Sequence, residues 1–173
     1  FSSQTECVEA QVEAHQSSLI GFVFRILGEL EAARDIVQDT FLKLAGSDCC
    51  SLQHHRAWLF TVSRNHAIQL LRRRKFRADE VPADEIAWAD DGLPLPNAAL
   101  ETSETHQRIR SLLPRLPARQ REVIELRYFH QLDFGEIAEI CDDNRNNIYQ
   151  LHHAGILSLR KMMQSRPDES LQH

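Results

Sequence analysis

A basic stretch at residues 54–77 carries side chains of the types that bind nucleic acid. Read as a helix at 100° per residue, one side of it gathers Trp58, Val62, Asn65, Gln69, Arg72, Arg73 and Phe76. Aromatic rings stack on bases, amides hydrogen-bond base edges, and arginines bind phosphates. The other side includes Leu59 and Leu70 and is predicted to face a core. We therefore predict a DNA-binding face that also includes Arg74 and Lys75. The alternative is a buried Trp58 next to a solvated basic end.

A second candidate interface lies between residues 133 and 163. A short helix, a polar turn and a longer helix are predicted there, which is the outline of a helix-turn-helix. The outer side of the longer helix carries polar groups that could read base edges in a major groove. These residues are Arg145, Asn146, Asn147, Tyr149, Gln150 and His153. Any helical hairpin shows a similar pattern, so plain packing remains the alternative for this segment.

The cysteines give a third set of reactive groups: Cys7, Cys49, Cys50 and Cys141. Their spacing predicts neither a disulfide framework nor a zinc finger, and a reducing cytoplasm is the simplest interpretation. Cys49, Cys50, His54 and His55 form a cluster that could bind zinc or copper, but neither adjacent pair has helical ligand spacing. We therefore expect free thiols and loop histidines, with no metal and no cofactor.

Helices must position these groups. The chain has 173 residues, 42% of them apolar and only 7% aromatic, which favours helices over a sandwich or barrel. Apolar periodicity predicts helices at 6–28, 31–45, 54–77, 104–113, 118–130, 134–140 and 145–163. The fold class is thus all-α, with an N-terminal helical domain (1–77), a flexible acidic linker (78–103) and a C-terminal helix-turn-helix domain (104–173).

Several functional classes are disfavoured. No Gly-rich phosphate loop, nucleophile elbow or paired metal motif is present, so we do not expect an enzyme. No run of 18 apolar residues and no signal segment is found, so we expect a cytoplasmic protein that does not insert into a membrane. The net charge of −5 argues against nucleic acid, but the charge is segregated along the chain. Residues 46–77 hold seven Lys and Arg against Asp48 alone, whereas residues 78–105 hold eight acids and no Lys or Arg.

Five segments in order together resemble one family. They are Ala33–Leu44, Arg56–Lys75, Leu116–Tyr128, Phe134–Ile140 and Asn146–Tyr149. They are similar to the polymerase-binding helix, the promoter-melting helix and the C-terminal domain of extracytoplasmic-function sigma factors, in the sigma-70 family. The resemblance covers nearly the whole chain.

The resemblance implies two helical domains, one that binds core RNA polymerase and opens the −10 promoter element and one that reads the −35 element. By position, the polymerase would be faced by Asp35, Gln38, Asp39 and Phe41. Asn65 and Arg72 to Arg74 would meet −10 DNA, and the loop 46–53 would hold a flipped base. The family also implies an anti-sigma factor that wedges between the two domains and covers both binding faces.

The sequence departs from the family at several positions. The family usually has Asp where Gln69 stands, Gly where Asp142 stands and an apolar residue where Asp143 stands. A stretch that usually carries arginines holds other residues here: His152, Ala154, Gly155, Ile156 and Ser158. Because each phosphate contact adds to affinity, we expect weak −35 binding.

Two alternatives remain open at this point. The first is a sigma-like mimic that sequesters an anti-sigma factor without binding a promoter; the acidic charge favours it and the basic stretch opposes it. The second is a plain helix-turn-helix repressor, which leaves residues 33–44 unexplained. Transcription with purified core polymerase separates all three.

Overall fold

The computed structural model describes residues 2–76 and 104–165. Within these ranges the regular structure is helical, without a strand, so the all-α prediction is confirmed. The helices are α1 (Ser2–Leu27), α2 (Leu30–Gly46), α3 (His55–Phe76), α4 (Glu104–Leu112), α5 (Ala118–Tyr128), α6 (Phe134–Ile140) and α7 (Arg145–Gln164). The predicted linker 78–103 lies outside the described residues. The chain divides into two compact units, one containing α1–α3 and one containing α4, α5, α7 and most of α6.

The N-terminal unit is built on an antiparallel corner between α1 and α2. Gly28 ends α1 with a φ of 73°, a left-handed conformation that a residue without Cβ adopts at little cost. Its N–H donates to the Phe24 carbonyl at 2.7 Å, which satisfies one of the last carbonyls of the helix. Gly28 therefore terminates α1, and α2 begins two residues later.

The three N-terminal helices enclose an apolar core that contains one polar link. The rings of Phe22 and Phe60 meet at 5.1 Å between centroids. The Ser63 hydroxyl donates to the Thr40 hydroxyl at 3.2 Å, and Thr40 donates to the Ile36 carbonyl at 2.8 Å. Both hydroxyl residues are fully buried. Because buried polar groups are costly unless paired, this chain of bonds fixes how α2 and α3 face each other.

The segment between α2 and α3 is a short 3-10 turn, Cys49–Ser51, tied to α1. Cys7 and Cys49 form a disulfide, with their Cα atoms 6.4 Å apart. The expectation of free thiols is therefore wrong for Cys7 and Cys49, whereas Cys50 and Cys141 keep their thiols. The expectation failed because a contact between two distant helical segments leaves no local spacing pattern in the sequence.

The C-terminal unit has its own core around Leu113, Leu116, Ile124 and Leu159. Gly155 is buried in α7 where α5 approaches closely. A Cβ built at Gly155 would lie 2.5 Å from Cδ1 of Ile124, which is too close for two carbon atoms. The departure from the family at this position therefore has a packing reason, since only glycine fits without a shift of Ile124.

The predicted helix-turn-helix has the expected turn chemistry. The Asp133 N–H donates to Glu136 Oε2 at 3.0 Å and the Glu136 N–H donates to Asp133 Oδ1 at 2.8 Å, so the two residues form a capping box at the start of α6. Asp142 has a φ of 52°, the left-handed conformation for which the family uses glycine. Asn144 caps α7 by accepting the Asn147 N–H at 2.8 Å.

Across residues 2–76 and 104–165, every helix falls short of the length and apolarity that a bilayer crossing requires.

Candidate nucleic-acid interface

The face predicted on α3 is present and largely open to solvent. Asn65, Gln69, Arg72 and Arg73 are exposed, and Trp58 is half-buried at the N-terminal end of the same face. The opposite side packs as predicted, because three of its members are fully buried: Leu59, Ser63 and Ala67. The helix contains no acidic residue, so nothing within α3 offsets the positive charge of its last turns.

The remaining basic residues of α3 are placed differently from Arg72 and Arg73. Arg74 pairs with Glu29 at 2.9 Å, and both side chains are about half exposed. Lys75 is half-buried and also interacts with other groups. An exposed ion pair of this kind contributes little to stability, so Arg74 can exchange Glu29 for a phosphate at small cost. Arg72 and Arg73 are thus the most available cations of this face.

The surface predicted on α2 needs one correction. Asp35, Gln38 and Asp39 are exposed, but Phe41 is only 8% exposed and belongs to the core. The physical reason is helical phase, because Phe41 stands on the buried stripe of α2 together with Val37 and Leu44. The apolar group on the exposed side is Leu42 instead, at 63% exposure. Sequence reasoning missed Leu42, although its spacing of four from Gln38 was available.

The recognition side of α7 is only partly as predicted. Exposed side chains are Arg145, Asn146, Tyr149, Gln150 and His153. Asn147 differs, because it is half-buried and its amide donates to Asp143 Oδ2 at 2.6 Å. The Tyr149 side chain packs against α6, and the centroid of its ring lies 4.6 Å from that of Phe134. Arg145 lies over Gly135, where a Cβ would come within 2.5 Å of the guanidinium.

Asp143 organises the turn before α7 through three bonds. Besides Asn147, it accepts the Asn144 N–H at 2.8 Å and binds the Arg119 guanidinium at 2.6 Å. The Asp143 side chain is 13% exposed. Desolvation alone raises its pKa, but the hydrogen bonds from Asn147, Asn144 and Arg119 outweigh it and lower the pKa below the ordinary value. Asp143 therefore neutralises a cation, Arg119, that sequence reasoning had not singled out.

His152 occupies the middle of an aromatic cluster and is not deeply buried. Its Nε2 lies 2.9 Å from the Tyr128 hydroxyl, and its ring meets Phe134 edge-on at 5.0 Å. Burial lowers the pKa of His152, and the positive charge of Arg127 lowers it further. The position of His152 on the apolar stripe of α7 predicts a core histidine with a satisfied hydrogen bond. The bond is present, because the neutral imidazole can accept the Tyr128 proton, but the residue is only half-buried and does not belong to the core.

Only some of the cysteines and histidines near the loop lie close together. Ligand atoms of Cys7, Cys49 and His55 lie within 4.8 Å of one another. His54 and Cys50 are exposed. Of the four residues considered from the sequence, only Cys49 and His55 come together, and the third member of the group is Cys7 from α1.

Comparison with known proteins agrees with this architecture. Residues 11–77 match the family model described as Sigma-70 region 2, and residues 106–159 match Sigma-70, region 4. The RNA polymerase sigma factor YlaC of Bacillus subtilis (strain 168) is 28% identical, over 96% of this chain and 98% of YlaC. The ECF RNA polymerase sigma factor SigW of the same strain is 27% identical, over 88% of this chain and 86% of SigW.

Two further similarities extend the comparison. The probable ECF RNA polymerase sigma factor SigI of Mycobacterium tuberculosis is 26% identical over 95% of this chain, which spans 57% of SigI. Among solved structures, the sigma factor RpoE of Bartonella quintana, crystallised with the anti-sigma factor NepR, aligns with a TM-score of 0.67. That alignment covers 91% of this chain and 98% of RpoE at 20% identity, so it supports the fold alone.

Both sigma regions are matched in order along one chain, over the helices that carry the interfaces described above. The protein therefore belongs to the sigma-70 family of RNA polymerase sigma factors, in its extracytoplasmic-function group.

Proposed function

We propose that this protein binds core RNA polymerase in the cytoplasm, directs it to promoters with −10 and −35 elements, and initiates transcription. The observation that carries the proposal is the exposed line of amides and guanidiniums on α3, within the segment that matches sigma region 2. Amides suit base edges and adjacent arginines suit phosphates, so one helix face supplies both parts of promoter melting. The role requires no bond-making chemistry from the protein, so we propose that it is not an enzyme.

The two parts of the chain take different steps. Residues 1–77 form the domain that binds polymerase and the −10 element, and residues 104–173 form the domain that binds the −35 element. The acidic residues 78–103 link the two domains. Within the first domain, the loop 46–53 receives a base flipped out of the melted strand, at an unstacking cost of about a few kcal/mol.

The polymerase contact is assigned to the exposed stripe of α2. Asp35, Gln38, Asp39 and Leu42 stand at helical spacings of three and four, so they share one side of the helix. Hydrogen-bonding groups around an exposed apolar side chain have the composition of a protein-binding hot spot. Leu42 replaces Phe41 in this role, since Phe41 is buried.

The −35 contact is assigned to α7. The groups placed to reach a major groove are Arg145, Asn146, Tyr149, Gln150 and His153, while Asn147 supports the turn through Asp143. We also propose that an anti-sigma factor holds the protein inactive, on the analogy of RpoE, which was crystallised with NepR.

A mimic that only sequesters an anti-sigma factor is the second candidate. The observation that favours it is the neutralisation of Arg119 by Asp143 beside the recognition helix. Transcription from a cognate promoter with purified core polymerase separates the two candidates. We expect transcripts that depend on the protein; binding of an anti-sigma factor without transcripts from any promoter would favour the mimic.

The polymerase assignment has its own test. The double variant Gln38→Ala, Leu42→Ala removes exposed groups only, so its helicity and unfolding midpoint should match those of the parent protein. Its affinity for core polymerase should fall by about 100-fold or more, as expected for two hot-spot residues. Gln16→Ala, an exposed substitution on α1, serves as the matched control. Unchanged affinity of the double variant would refute the assignment.

A further inference from the structure

The disulfide between Cys7 and Cys49 has one end in the loop 46–53, which is assigned to the flipped base. It joins α1 to the 3-10 turn that follows α2, across 42 residues of sequence. A second contact lies beside it, since the Gln4 carboxamide donates to the Ser47 carbonyl. The disulfide is thus the covalent part of a seam that holds the segment 47–54 against α1.

The chemical surroundings of the pair are unequal. Cys49 is fully buried, whereas Cys7 is half-buried and reachable from solvent. The His55 Nε2 lies 3.5 Å from Cys49 Sγ and 3.8 Å from Cys7 Sγ. The same nitrogen donates its hydrogen to the Cys49 carbonyl at 2.7 Å, because a carbonyl can only accept. An N–H so placed presents positive charge to a sulfur that becomes a thiolate.

This geometry favours redox chemistry over metal binding. Zinc requires the lone pair of a histidine nitrogen, and the Nε2 that faces the sulfurs carries a hydrogen in this arrangement, so its lone pair is not free for a metal. Disulfides in reducing compartments are uncommon, and those that occur are usually transient catalytic or redox-sensing bonds. A disulfide in a protein that binds polymerase inside the cell is therefore expected to be a reversible, redox-sensing bond.

We propose that Cys7 and Cys49, with His55 beside them, form a reversible thiol–disulfide switch that ties the segment 47–54 to α1 when oxidised and releases it when reduced. The existence of the disulfide does not depend on the proposed function. The effect of the disulfide on promoter opening does rest on the proposed function. Because the segment 47–54 contains most of the loop 46–53 assigned to the flipped base, the oxidised form is preorganised for single-stranded −10 DNA and the reduced form is not.

Reduction proceeds by thiol exchange with a dithiol. A thiolate of the reductant attacks Cys7 Sγ, the Cys7–Cys49 bond breaks, and Cys49 leaves as a thiolate stabilised by the His55 N–H. The second thiolate of the reductant then attacks the reductant sulfur that is bonded to Cys7. This forms a disulfide within the reductant and releases Cys7 as a thiolate. The reductant becomes a disulfide, and the two cysteine sulfurs gain two electrons and take up two protons. A stabilised leaving thiolate makes the first step faster.

Oxidation uses a hydroperoxide. The Cys7 thiolate attacks the peroxide oxygen, which gives a sulfenic acid on Cys7 and an alcohol or water. The Cys49 thiolate then attacks the Cys7 sulfur, the disulfide forms, and a second water leaves. Two thiols and one hydroperoxide thus yield one disulfide, one alcohol or water, and one water.

The bond is tested directly on the full chain. After hydrogen peroxide treatment, peptide mapping should find Cys7 joined to Cys49, and dithiothreitol should restore two free thiols. Reduction should lower the thermal midpoint of the parent protein by roughly 10 °C or more, because a loop of this length loses its cross-link. Cys50→Ser and Cys141→Ser should behave like the parent, while Cys7→Ser should show no response to either reagent.

His55 is tested as a positioning residue by the rate of reduction. His55→Leu should slow the reaction with dithiothreitol by about tenfold, since the departing Cys49 thiolate loses its N–H partner. His55→Gln retains an N–H donor and should recover most of the rate. Equal rates in all three proteins would remove His55 from the proposal.

Promoter opening by the holoenzyme separates this inference from the proposed function. The oxidised parent protein should open a promoter at least about threefold better than the reduced one, while Cys7→Ser should be indifferent to the reagents. Equal opening in both redox states would refute the switch and leave the sigma function intact. No opening in either state would refute the function and leave the bond to be judged by peptide mapping. A reduced protein that carries one zinc per chain and resists peroxide at Cys7 and Cys49 would overturn the proposal in favour of a metal site.

Discussion

The DNA-facing sides of α3 and α7 both consist of amides and basic residues, yet they differ in where positive charge is available. On α3, Arg72 and Arg73 are adjacent, exposed and directly beside Gln69. On α7, the amides lie near the N-terminal end with Arg145 as the basic residue beside them, and Arg160 and Lys161 lie about three turns further along. Asp143 neutralises Arg119 at the turn. The comparison predicts that affinity and base reading are separated in this protein: we expect α3 to supply most of the phosphate binding and α7 to supply most of the base selectivity.

The strongest test of this comparison is removal of charge from α3. Arg72→Gln with Arg73→Gln should reduce promoter opening by about 100-fold or more, because two phosphate contacts are lost next to the melted strand. Fluorescence of a base analogue in the −10 element measures the opening. Arg34→Gln, an exposed arginine of α2 that pairs with Glu31, is the control and should change opening less than about threefold. Normal opening by the double variant would show that another surface neutralises the DNA.

The next test addresses selectivity on α7. Gln150→Ala should reduce the preference for the cognate −35 element over other sequences by roughly 5- to 150-fold, since one bidentate amide contact discriminates by about 1–3 kcal/mol. Affinity for a non-cognate duplex should stay within about twofold. Competition binding of holoenzyme to cognate and scrambled −35 sequences measures both quantities. Gln164→Ala, at the far end of α7, is the matched control, and a parallel loss on both sequences would contradict the assignment.

Asp143→Asn should change affinity and stability in opposite directions. With the charge of Arg119 released, −35 affinity should rise about threefold, and stability should fall by about 1 kcal/mol because a charge-assisted bond is lost. The folded-state pKa of Asp143 is lowered, so its stabilisation is complete above the unfolded value of 3.8 and is lost as pH falls through the folded value. Urea unfolding should therefore show a smaller difference in stability between parent and variant at pH 3 than at pH 6. A difference of the same size at pH 3 would show that the charge of Asp143 is not responsible.

The smallest expected effect concerns how α7 is seated on α5. Gly155→Ala should destabilise the protein by about 1 kcal/mol, because crowding against Ile124 Cδ1 outweighs the helix-propensity gain. Ile124→Val removes that methyl, so Gly155→Ala should be neutral or stabilising when it is combined with Ile124→Val. Denaturant unfolding of the parent, the two single variants and the double variant completes the cycle. Additive effects would mean that the two positions do not contact each other.

Helix positions were predictable because they depend on local patterns. The apolar spacing around Leu59 and the reciprocal bonds of Asp133 and Glu136 are set by neighbours within one or two turns. The phase of α2 was also available, since Val37, Phe41 and Leu44 form one stripe, and Phe41 was misassigned by giving the resemblance more weight than the spacing.

What escaped prediction depends on contacts between segments far apart in sequence. Cys7 meets Cys49 only after α1 and α2 fold against each other. Arg119 meets Asp143 only once α5 and the turn before α7 are in place. The requirement for glycine at position 155 likewise becomes visible only when the fold places Ile124 Cδ1 beside it. Spacing rules cannot report such pairs, because a sequence separation of 24 or 42 residues carries no angular information.

The buried bond from Ser63 to Thr40 has a consequence for how the N-terminal unit couples its two partners. This bond constrains how far α3 is rotated about its own axis relative to α2. The direction in which the exposed side of each helix points depends on that rotation. The angle between the α2 side proposed to meet polymerase and the α3 side proposed to meet DNA is therefore constrained inside the unit itself. We expect promoter DNA to be presented to the polymerase at an orientation that depends in part on two buried hydroxyl groups in contact with neither partner.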